Sequence, residues 1–300
     1  GKTNVGRATP DCDDLIINHY TIPVSGNTKL TELTSRDLQK HYKELMEVGL
    51  EGKTKGGGQG LSRTTVRSVH LMLHCAFERA VKERLIPRNP TDDCIAPKVR
   101  KFEMKILEPD HMKAYLDAAD ARGLLPMFYL ELVSGLRKGE LVALLWSDLD
   151  IKNRTISVSK QYIKNPNGEL TLSRPKTETS VRKVSIPQMA VDLLIQEHEK
   201  HPRNPYMFPS PKTGTMFDPD SFRHTHDKIL KAIGAEHIRF HDLRHTFSTL
   251  AIQSGIDPKT VAEILGHASA EFSLDVYTHV TAGMKKEAAQ KISGFMESVG

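Results

Sequence analysis

Five consecutive residues in the segment RFHDLRHTFSTL could bind a metal ion or an anion: His241-Asp242-Leu243-Arg244-His245. Two histidines four positions apart, with an acidic residue beside the first, have the spacing of helix-borne zinc ligands in metalloproteases. Such a site needs a glutamate as general base and a third ligand. Asp242 is one methylene shorter, no third ligand is specified, and Arg244 would place a positive charge beside the cation. The zinc site is therefore disfavoured.

An anion fits the same segment better. His241 and Arg244 are three positions apart and would share one face of a helix. The histidine can donate a hydrogen bond or move a proton, and the planar guanidinium matches the oxygens of a phosphate group. This pair of residues is common by chance, so its weight depends on partners elsewhere in the chain.

Four other segments carry side chains that could complete a phosphate site. Each alone has a simpler explanation, such as a surface ion pair, a solvated turn lysine or a half-buried tyrosine. In chain order the candidates are Arg137 followed by Glu140 in SGLRKGEL, Lys176 in RPKTETS, His267 in LGHAS and Tyr277 in VYTHV.

Together and in this order, these residues resemble the pattern of the tyrosine recombinases, the phage and transposon integrase family. The resemblance covers nearly the whole chain, and no catalytic position departs from the family pattern. It implies a site in which Glu140 supports six catalytic residues: Arg137, Lys176, His241, Arg244, His267 and Tyr277.

The resemblance implies a site-specific DNA recombinase that needs neither metal nor ATP. Tyr277 would attack a DNA phosphodiester to form a 3′-phosphotyrosyl intermediate, with Lys176 as general acid and His241 as general base. The two arginines would stabilise the transition state, and His267 would hydrogen-bond the phosphate. Because the covalent bond conserves the phosphodiester energy, a second strand's 5′-hydroxyl can reverse the step, which gives strand exchange.

Two alternative functions remain open at this point. One is DNA relaxation by the related chemistry of type IB topoisomerases, and the other is a catalytically silent DNA-binding regulator. The integrase-like spacing and an amphipathic C-terminal segment disfavour the first, and the complete set of six catalytic residues disfavours the second.

Positive charge is concentrated in residues 51–105. The whole chain carries a net charge of +5, whereas this window alone has twelve Lys and Arg against six Asp and Glu. A basic surface of this kind is either a solvated face or a site for phosphates. Under the family resemblance we expect these residues to contact DNA: Arg63, Thr64, Thr65, Arg67, Lys98, Arg100, Lys101 and Lys105.

The patterning predicts a mainly α fold with one small three-stranded antiparallel sheet, built from residues 154–161, 168–180 and 181–187. Helical spacing is seen around residues 34–50, from a cap at Ser62 to the prolines at 87 and 90, around 108–120, and over 126–150 with an interruption near Ser134-Gly135. In the second of these helices Arg63, Arg67, His70 and His74 would form a basic side, opposite an apolar stripe: Val66, Val69, Leu73, Phe77, Ala80 and Leu85.

The domain prediction follows from the proline-containing basic stretch after residue 90. We expect a helical core-binding domain over residues 1–100, a basic linker over 101–106 and a catalytic domain over 107–300. The two domains would form a clamp around duplex DNA. The family's small arm-binding domain has no counterpart in the printed sequence, so we expect an upstream segment to be missing.

The family also implies self-association. The segment 284–298 has an apolar side that would dock on a neighbouring subunit in a tetramer on DNA, with an accessory DNA-bending or excision factor as a further partner. Three widely spaced cysteines without a CxxC pair, and no apolar run of membrane-spanning length, fit a protein of the reducing bacterial cytoplasm.

Overall fold

The computed structural model describes residues 16–22, 26–47, 60–99, 105–165, 168–173 and 181–266. Contacts within the chain divide it into two units, residues 1–102 and 103–300. Helices predominate, with small antiparallel sheets in the second unit, so the predicted fold class is confirmed. Among the described helices, none has the length and apolarity that a bilayer span requires.

Two helices form the core of the first unit, α1 (Ser35–Glu47) and α2 (Arg63–Lys82), after a π-helical turn at Ile16–Thr21. The predicted cap at Ser62 is confirmed, because its hydroxyl accepts a hydrogen bond of 3.1 Å from the amide of Thr65. The apolar faces of α1 and α2 bury the following side chains: Leu38, Tyr42, Leu45, Val66, Val69, Leu73, Phe77 and Ala80.

Two details predicted for α2 were wrong. Leu85 is 55% exposed, because the helix ends at Lys82 and Arg84 adopts a left-handed backbone with φ of 59°, which turns the chain before Leu85. His70 is not on the basic side: it is buried, and its Nδ1 lies 3.2 Å from the hydroxyl of Tyr42.

The second unit contains seven helices among the described residues. They are α3 (Pro109–Asp120), α4 (Leu125–Ser134), α5 (Lys138–Leu141), α6 (Gln188–Lys200), α7 (Pro219–Ala232), α8 (Asp242–Gln253) and α9 (Pro258–Leu265), with a 3-10 turn at Trp146–Asp148. Helix α4 packs against α3, α6 and α8, and α9 packs against α8 and β5, the last strand. The predicted interruption near Ser134-Gly135 is confirmed, since it separates α4 from α5.

The described strands form two sheets instead of the predicted one. β1 (Leu149–Asp150), β2 (Thr155–Val158) and β5 (Arg182–Ser185) make an antiparallel sheet in the order β1-β2-β5, and β3 (Gln161–Lys164) pairs only with β4 (Leu170–Ser173). The predicted first strand, 154–161, covers β2 and ends at the first residue of β3, so the prediction missed β3 and placed β4 in the same sheet as β2 and β5. The backbone leaves the first sheet at Lys160, whose ammonium is bound to the carboxylate of Asp148 at 2.5 and 2.7 Å.

A glycine lets the end of α4 approach α8 and α9. Gly135 closes α4 with a left-handed backbone, φ 58°. A Cβ at this position would lie 2.6 Å from the ring of Phe247 and 2.7 Å from the side chain of Leu265. Glycine is therefore required for both the backbone conformation and the close packing of the end of α4 on α8 and on the end of α9.

Candidate active site

Arg137 and Glu140 form the first part of the site. Arg137 precedes α5, and the carboxylate of Glu140 accepts hydrogen bonds from the Arg137 backbone amide (2.9 Å) and from its Nη1 (2.8 Å). The side chain of Glu140 is 1% exposed and that of Arg137 is 33% exposed. Glu140 thus fixes both the backbone and the guanidinium of Arg137, while part of that guanidinium stays accessible to a ligand.

Helix α8 supplies the second part. His241 is the residue before the helix and has helical backbone angles, so its three-residue spacing from Arg244 is helical, as predicted. Arg244 is 1% exposed, and its guanidinium donates to the carbonyl oxygens of Gly135 (2.6 Å) and Leu265 (2.5 Å). Arg244 therefore ties the end of α4 to the end of α9.

Asp242 has a supporting role within α8. Its buried carboxylate accepts hydrogen bonds from the backbone amide and the guanidinium of Arg239, at 2.7 to 3.1 Å. This is the interaction of an acidic residue that stabilises the first turn of a helix. Asp242 is therefore already engaged with a cation, which is a structural role and not that of a catalytic base.

Three arginines converge on consecutive carbonyl groups at the C-terminal end of α9. Arg182 Nε donates to the carbonyl of Ile264 (2.6 Å), Arg244 Nη2 to that of Leu265 (2.5 Å) and Arg137 Nη2 to that of Gly266 (3.2 Å). The last carbonyls of a helix have no intrahelical donor and carry partial negative charge, so they attract and orient cations. The arrangement holds three guanidiniums in place next to position 267.

Arg182, the third of these arginines, was not predicted from the sequence. Its side chain is 7% exposed, and Nη1 and Nη2 donate to the two carboxylate oxygens of Glu140 at 3.1 and 2.9 Å. The strand period was a usable signal, because Arg182 and the buried Val184 are two residues apart and share a face of β5.

A second buried glutamate beside the site was also missed. Glu131 lies on α4, is fully buried, and neither carboxylate oxygen has a hydrogen-bond partner among the described residues. Burial raises the pKa of Glu131 well above its ordinary value, against the lowering effect of Arg244, and so favours the uncharged acid. The only signal was a single acidic residue within the apolar segment of α4.

The charges of the site have clear consequences for its titration. Burial raises the pKa of Glu140, but the hydrogen bonds and charge of Arg182, together with Arg137, outweigh it and hold that pKa below 4.5. Burial and the repulsion of Arg137 lower the pKa of Arg244 to about 9. Three guanidiniums thus face one ionised carboxylate, which leaves an excess of positive charge suited to an anion.

The histidines of α8 are held in their neutral form. Burial, followed by the positive charge of Arg244, lowers the pKa of His241 below 6.5, and burial lowers that of His245 to about 4. The two rings lie edge to face with centroids 5.2 Å apart. The charged Arg244 is close enough to depress the pKa of both imidazoles, so it would also repel a metal ion placed between them.

Three predicted catalytic residues, Lys176, His267 and Tyr277, lie outside the described residues. Lys176 belongs to the segment between β4 and β5, and His267 directly follows Gly266. The structure therefore brings together Arg137, Glu140 and Arg244. His241 lies directly before α8, the helix that carries Arg244. The catalytic roles of all six residues stay predictions.

A model of the phage integrase family matches residues 105–284 of the chain. The chain belongs to the phage integrase family. It is a tyrosine recombinase-type enzyme, which cleaves and rejoins DNA strands, and the resemblance drawn from its sequence is confirmed.

Individual members of the phage integrase family match over most of their length. The ICEBs1 integrase of Bacillus subtilis (strain 168) is 29% identical over 294 residues, which cover 94% of this chain and 76% of that protein. The tyrosine recombinase XerC-like protein of Caldanaerobacter subterraneus subsp. tengcongensis is 27% identical over 297 residues, covering 88% and 72% of the two chains.

Solved structures of the family share the fold. The Tn1549 transposon integrase, in complex with a circular intermediate DNA, superposes with a TM-score of 0.80 at 21% identity, over 97% of this chain and 95% of that one. The lambda integrase dimer bound to a core site gives a TM-score of 0.65 at 18% identity, over 92% and 90% of the chains.

The DNA-contact residues predicted on α2 differ in accessibility. Arg63, Thr64 and Arg67 are exposed, and Arg67 also donates to the carbonyl of Pro97 at 3.3 Å. Thr65 is partly buried, and its hydroxyl lies 2.8 Å from that of the capping Ser62. Thr65 is therefore engaged in the helix cap, whereas the other three side chains can reach a ligand.

The basic residues after α2 also differ. Lys98 is exposed, and Lys105 forms an ion pair with Glu236. Arg100 and Lys101 lie outside the described residues. Lys105 is therefore already paired with a carboxylate, and a DNA phosphate would use its remaining N–H donors.

One group of side chains has the spacing of a metal site, within the part of the chain that the structure describes. Ligand atoms of His74, Glu78 and Asp92 lie within 4.8 Å of one another. These groups already have protein partners. His74 Nε2 is 3.3 Å from an Asp92 oxygen, and the side-chain amide of Asn89 donates to the carboxylate of Glu78 at 3.0 Å. His241 and His245 of α8 belong to no such group among these residues.

Proposed function

We propose that this chain is the integrase of a mobile genetic element, acting at specific DNA sites through a 3′-phosphotyrosyl intermediate without metal ion or ATP. Relatives named ICEBs1 integrase and Tn1549 transposon integrase support the mobile element. The observation that carries the proposal is the convergence of Arg137 and Arg244 on successive carbonyls at the end of α9, one residue before His267.

The two arginines would stabilise the transition state of phosphoryl transfer. A pentacoordinate phosphorus carries more negative charge on its oxygens than the ground-state diester does, so donors fixed beforehand accelerate the step. The carbonyls of Gly135 and Leu265 use two of the five N–H groups of Arg244, and the remaining three are not hydrogen-bonded to any other described residue, so they would be the donors to the phosphate. The partly exposed Arg137 would present its remaining donors to the same phosphate.

Protons would be moved by His241 and Lys176. Tyr277, as a phenol with an ordinary pKa of ~10, needs a base or a strong positive field to become a nucleophile. His241 is suited to the role because its lowered pKa favours the neutral imidazole at neutral pH, in which one ring nitrogen can accept a proton. Lys176 would protonate the leaving 5′-oxygen, and His267 would hydrogen-bond the phosphate.

The first unit would supply DNA affinity through its basic residues. Arg63, Thr64, Arg67 and Lys98 are exposed and able to contact phosphates, and Arg100 and Lys101 would extend this surface. Thr65 and Lys105 are assigned a smaller share because each already has a partner. Binding should weaken steeply with salt, since each neutralised phosphate releases counterions. The core-binding and catalytic domains would together enclose the duplex.

Recombination between two duplexes requires more than one subunit. A lambda integrase tetramer has been solved on a Holliday junction. We extend that assembly to this chain, with the segment 284–298 docking on a neighbouring subunit and an accessory DNA-bending or excision factor controlling direction.

The test is the trapping of a covalent protein–DNA adduct. The probe is a nicked duplex oligonucleotide with the end junction of the element that carries the gene, because loss of the short fragment beyond the nick makes cleavage irreversible. We expect the adduct to form in the presence of EDTA, and Tyr277→Phe to form none. An adduct in Tyr277→Phe, or an activity that EDTA abolishes, contradicts the mechanism.

The same assay separates the two alternative functions. A regulator would bind the probe without forming an adduct. A topoisomerase-like enzyme would form the adduct and relax supercoiled DNA, but would not join strands from two different duplexes. Joint molecules formed from two labelled duplexes are the result expected of a recombinase.

A further inference from the structure

Arg182 is a buried charged residue, and burying a charge destabilises a protein unless the charge has close partners. A guanidinium moved from water into a protein interior loses favourable solvation, which only close hydrogen-bonding and charged partners offset. Arg182 has such partners on two sides, with its Nε on the carbonyl of Ile264 and both its Nη atoms on Glu140. Its planar fork is bound bidentately, a geometry that lysine cannot reproduce.

Glu140 joins Arg182 to Arg137 symmetrically. Oε1 accepts from Nη1 of Arg137 (2.8 Å) and from Nη1 of Arg182 (3.1 Å). Oε2 accepts from the backbone amide of Arg137 (2.9 Å) and from Nη2 of Arg182 (2.9 Å). Each carboxylate oxygen therefore has one donor from each arginine, and the carboxylate cannot rotate without breaking contacts to both.

The contacts form a closed circuit through α9. Arg182 holds the carbonyl of Ile264, Arg137 holds that of Gly266 at 3.2 Å, and Glu140 links the two guanidiniums. A closed circuit restrains each member more than a single pair does, because any displacement strains several contacts at once. Without Arg182, Glu140 and Arg137 would still contact each other, but Glu140 would lose its link to the carbonyl of Ile264.

We propose that Arg182 is a positioning residue for strand cleavage: it sets the orientation of the Arg137 guanidinium toward the scissile phosphate through Glu140 and the end of α9. Arg182 itself does not touch the phosphate. The inference rests on the proposed function, since it assigns a further residue to the same phosphoryl-transfer site.

The variants are chosen to separate positioning from stability. Arg182→Gln removes the charge and the fork, and Arg182→Lys keeps the charge but loses the fork. The matched control is Lys183→Gln, which removes one positive charge from the neighbouring exposed position of the same strand. Each variant is made in the whole chain and assayed on the nicked probe with the probe in saturating excess, so that each protein molecule reacts once and the amplitude counts active protein.

The rate constant and the amplitude of adduct formation report different defects. A variant that merely folds less well yields less active protein and a smaller amplitude, with an unchanged rate constant. We expect Arg182→Gln to lower the rate constant by about 100-fold, the scale of an ångström-sized misplacement of a catalytic group. Arg182→Lys should lose less, and Lys183→Gln should match the unsubstituted protein. Binding of the uncleaved probe should change little in all three.

Two further measurements test the route of action. Because Arg182 acts through Glu140, adding Arg182→Gln to Glu140→Gln should lower the rate constant far less than Arg182→Gln does alone. A probe whose bridging 5′-oxygen is replaced by sulfur releases a thiolate, which needs no general acid. This probe would correct a defect in proton donation, but the defect of Arg182→Gln should persist on it.

The outcomes distinguish the inference from the proposed function. If the unsubstituted protein forms no adduct, the proposed function is refuted and the role of Arg182 falls with it. Three results would overturn the role of Arg182 alone: an unchanged rate constant with a reduced amplitude in both Arg182 variants, full additivity with Glu140→Gln, or correction by the sulfur probe.

Discussion

Replacing Arg244 by lysine keeps the positive charge of the site and removes the planar fork. Arg244 is 1% exposed and donates to two main-chain carbonyls, those of Gly135 and Leu265. Lysine has three N–H donors around a single nitrogen, and one ammonium placed on either carbonyl cannot reproduce both contacts together with a bidentate grip on phosphate. The substitution therefore tests geometry, with charge held constant.

The magnitude has a stability part and a rate part. Loss of at least one charge-assisted hydrogen bond should lower the free energy of unfolding by about 2 kcal/mol, within the range of 1.5–3 kcal/mol for hydrogen bonds to charged groups. Loss of a preorganised donor at the phosphate should lower the cleavage rate constant by about 10²–10³-fold. The rate effect is expected to exceed what the loss of stability alone would produce.

The assay for Arg244→Lys combines denaturant unfolding with single-turnover adduct formation on the nicked probe. Arg223→Lys, on the exposed face of α7, is the matched control for an arginine-to-lysine change. A cleavage rate constant within a few-fold of the unsubstituted protein would show that charge alone suffices, and would refute the role assigned to the fork. A loss of amplitude without a change in rate constant would assign Arg244 to folding only.

Three other predictions follow from the contacts and pKa directions of the second unit. Burial and Arg244 lower the pKa of His241 below 6.5, so the cleavage rate constant should be level from neutral pH down to about pH 6.5. At lower pH it should decrease as the imidazole takes up a second proton. In a pH–rate profile, His241→Gln should lose this decrease at acidic pH. Burial and the repulsion of Arg137 lower the pKa of Arg244 to about 9, so a bound anion should stabilise its charged form. Orthovanadate should therefore raise the thermal unfolding midpoint in a thermal shift measurement. Arg244→Gln should abolish most of this increase. Tyr115→Phe should lower the free energy of unfolding by about 1–3 kcal/mol without altering the cleavage rate constant. The reason is that His226 donates from Nε2 to the carbonyl of Ile238, so its Nδ1 needs the Tyr115 hydroxyl as donor. A slower cleavage step would contradict this purely structural role.

Local patterns in the sequence were sufficient for much of the fold. The cap at Ser62, the apolar face of α2 and the break at Gly135 depend on neighbouring residues only, and each was predicted. The prediction extended α2 too far because apolar spacing continues to Leu85, whereas a left-handed Arg84 ends the helix pattern first. One sheet was predicted instead of two for a similar reason, since alternation alone does not show with which strand a segment pairs.

The candidate site was only partly predictable for a different reason. Family pattern and residue type identified Arg137, Glu140, His241 and Arg244, because these lie in short motifs that can be recognised in one dimension. An acidic residue within an apolar segment was the only local sign of Glu131, and it did not show that the carboxylate is buried with no hydrogen-bond partner among the described residues. No local pattern showed that the ends of α4 and α9 receive the same guanidinium.

The sequence by itself determined the family, the mainly helical fold class and the chemistry that the residues can perform. Only the tertiary structure decided that Arg182 belongs to the site and that three arginines share the last carbonyls of α9. The physical reason is that these contacts join β5, α5, α8 and α9, which are distant in the chain. Their approach is set by packing of the whole unit, while a sequence pattern records only the periodicity of each element separately.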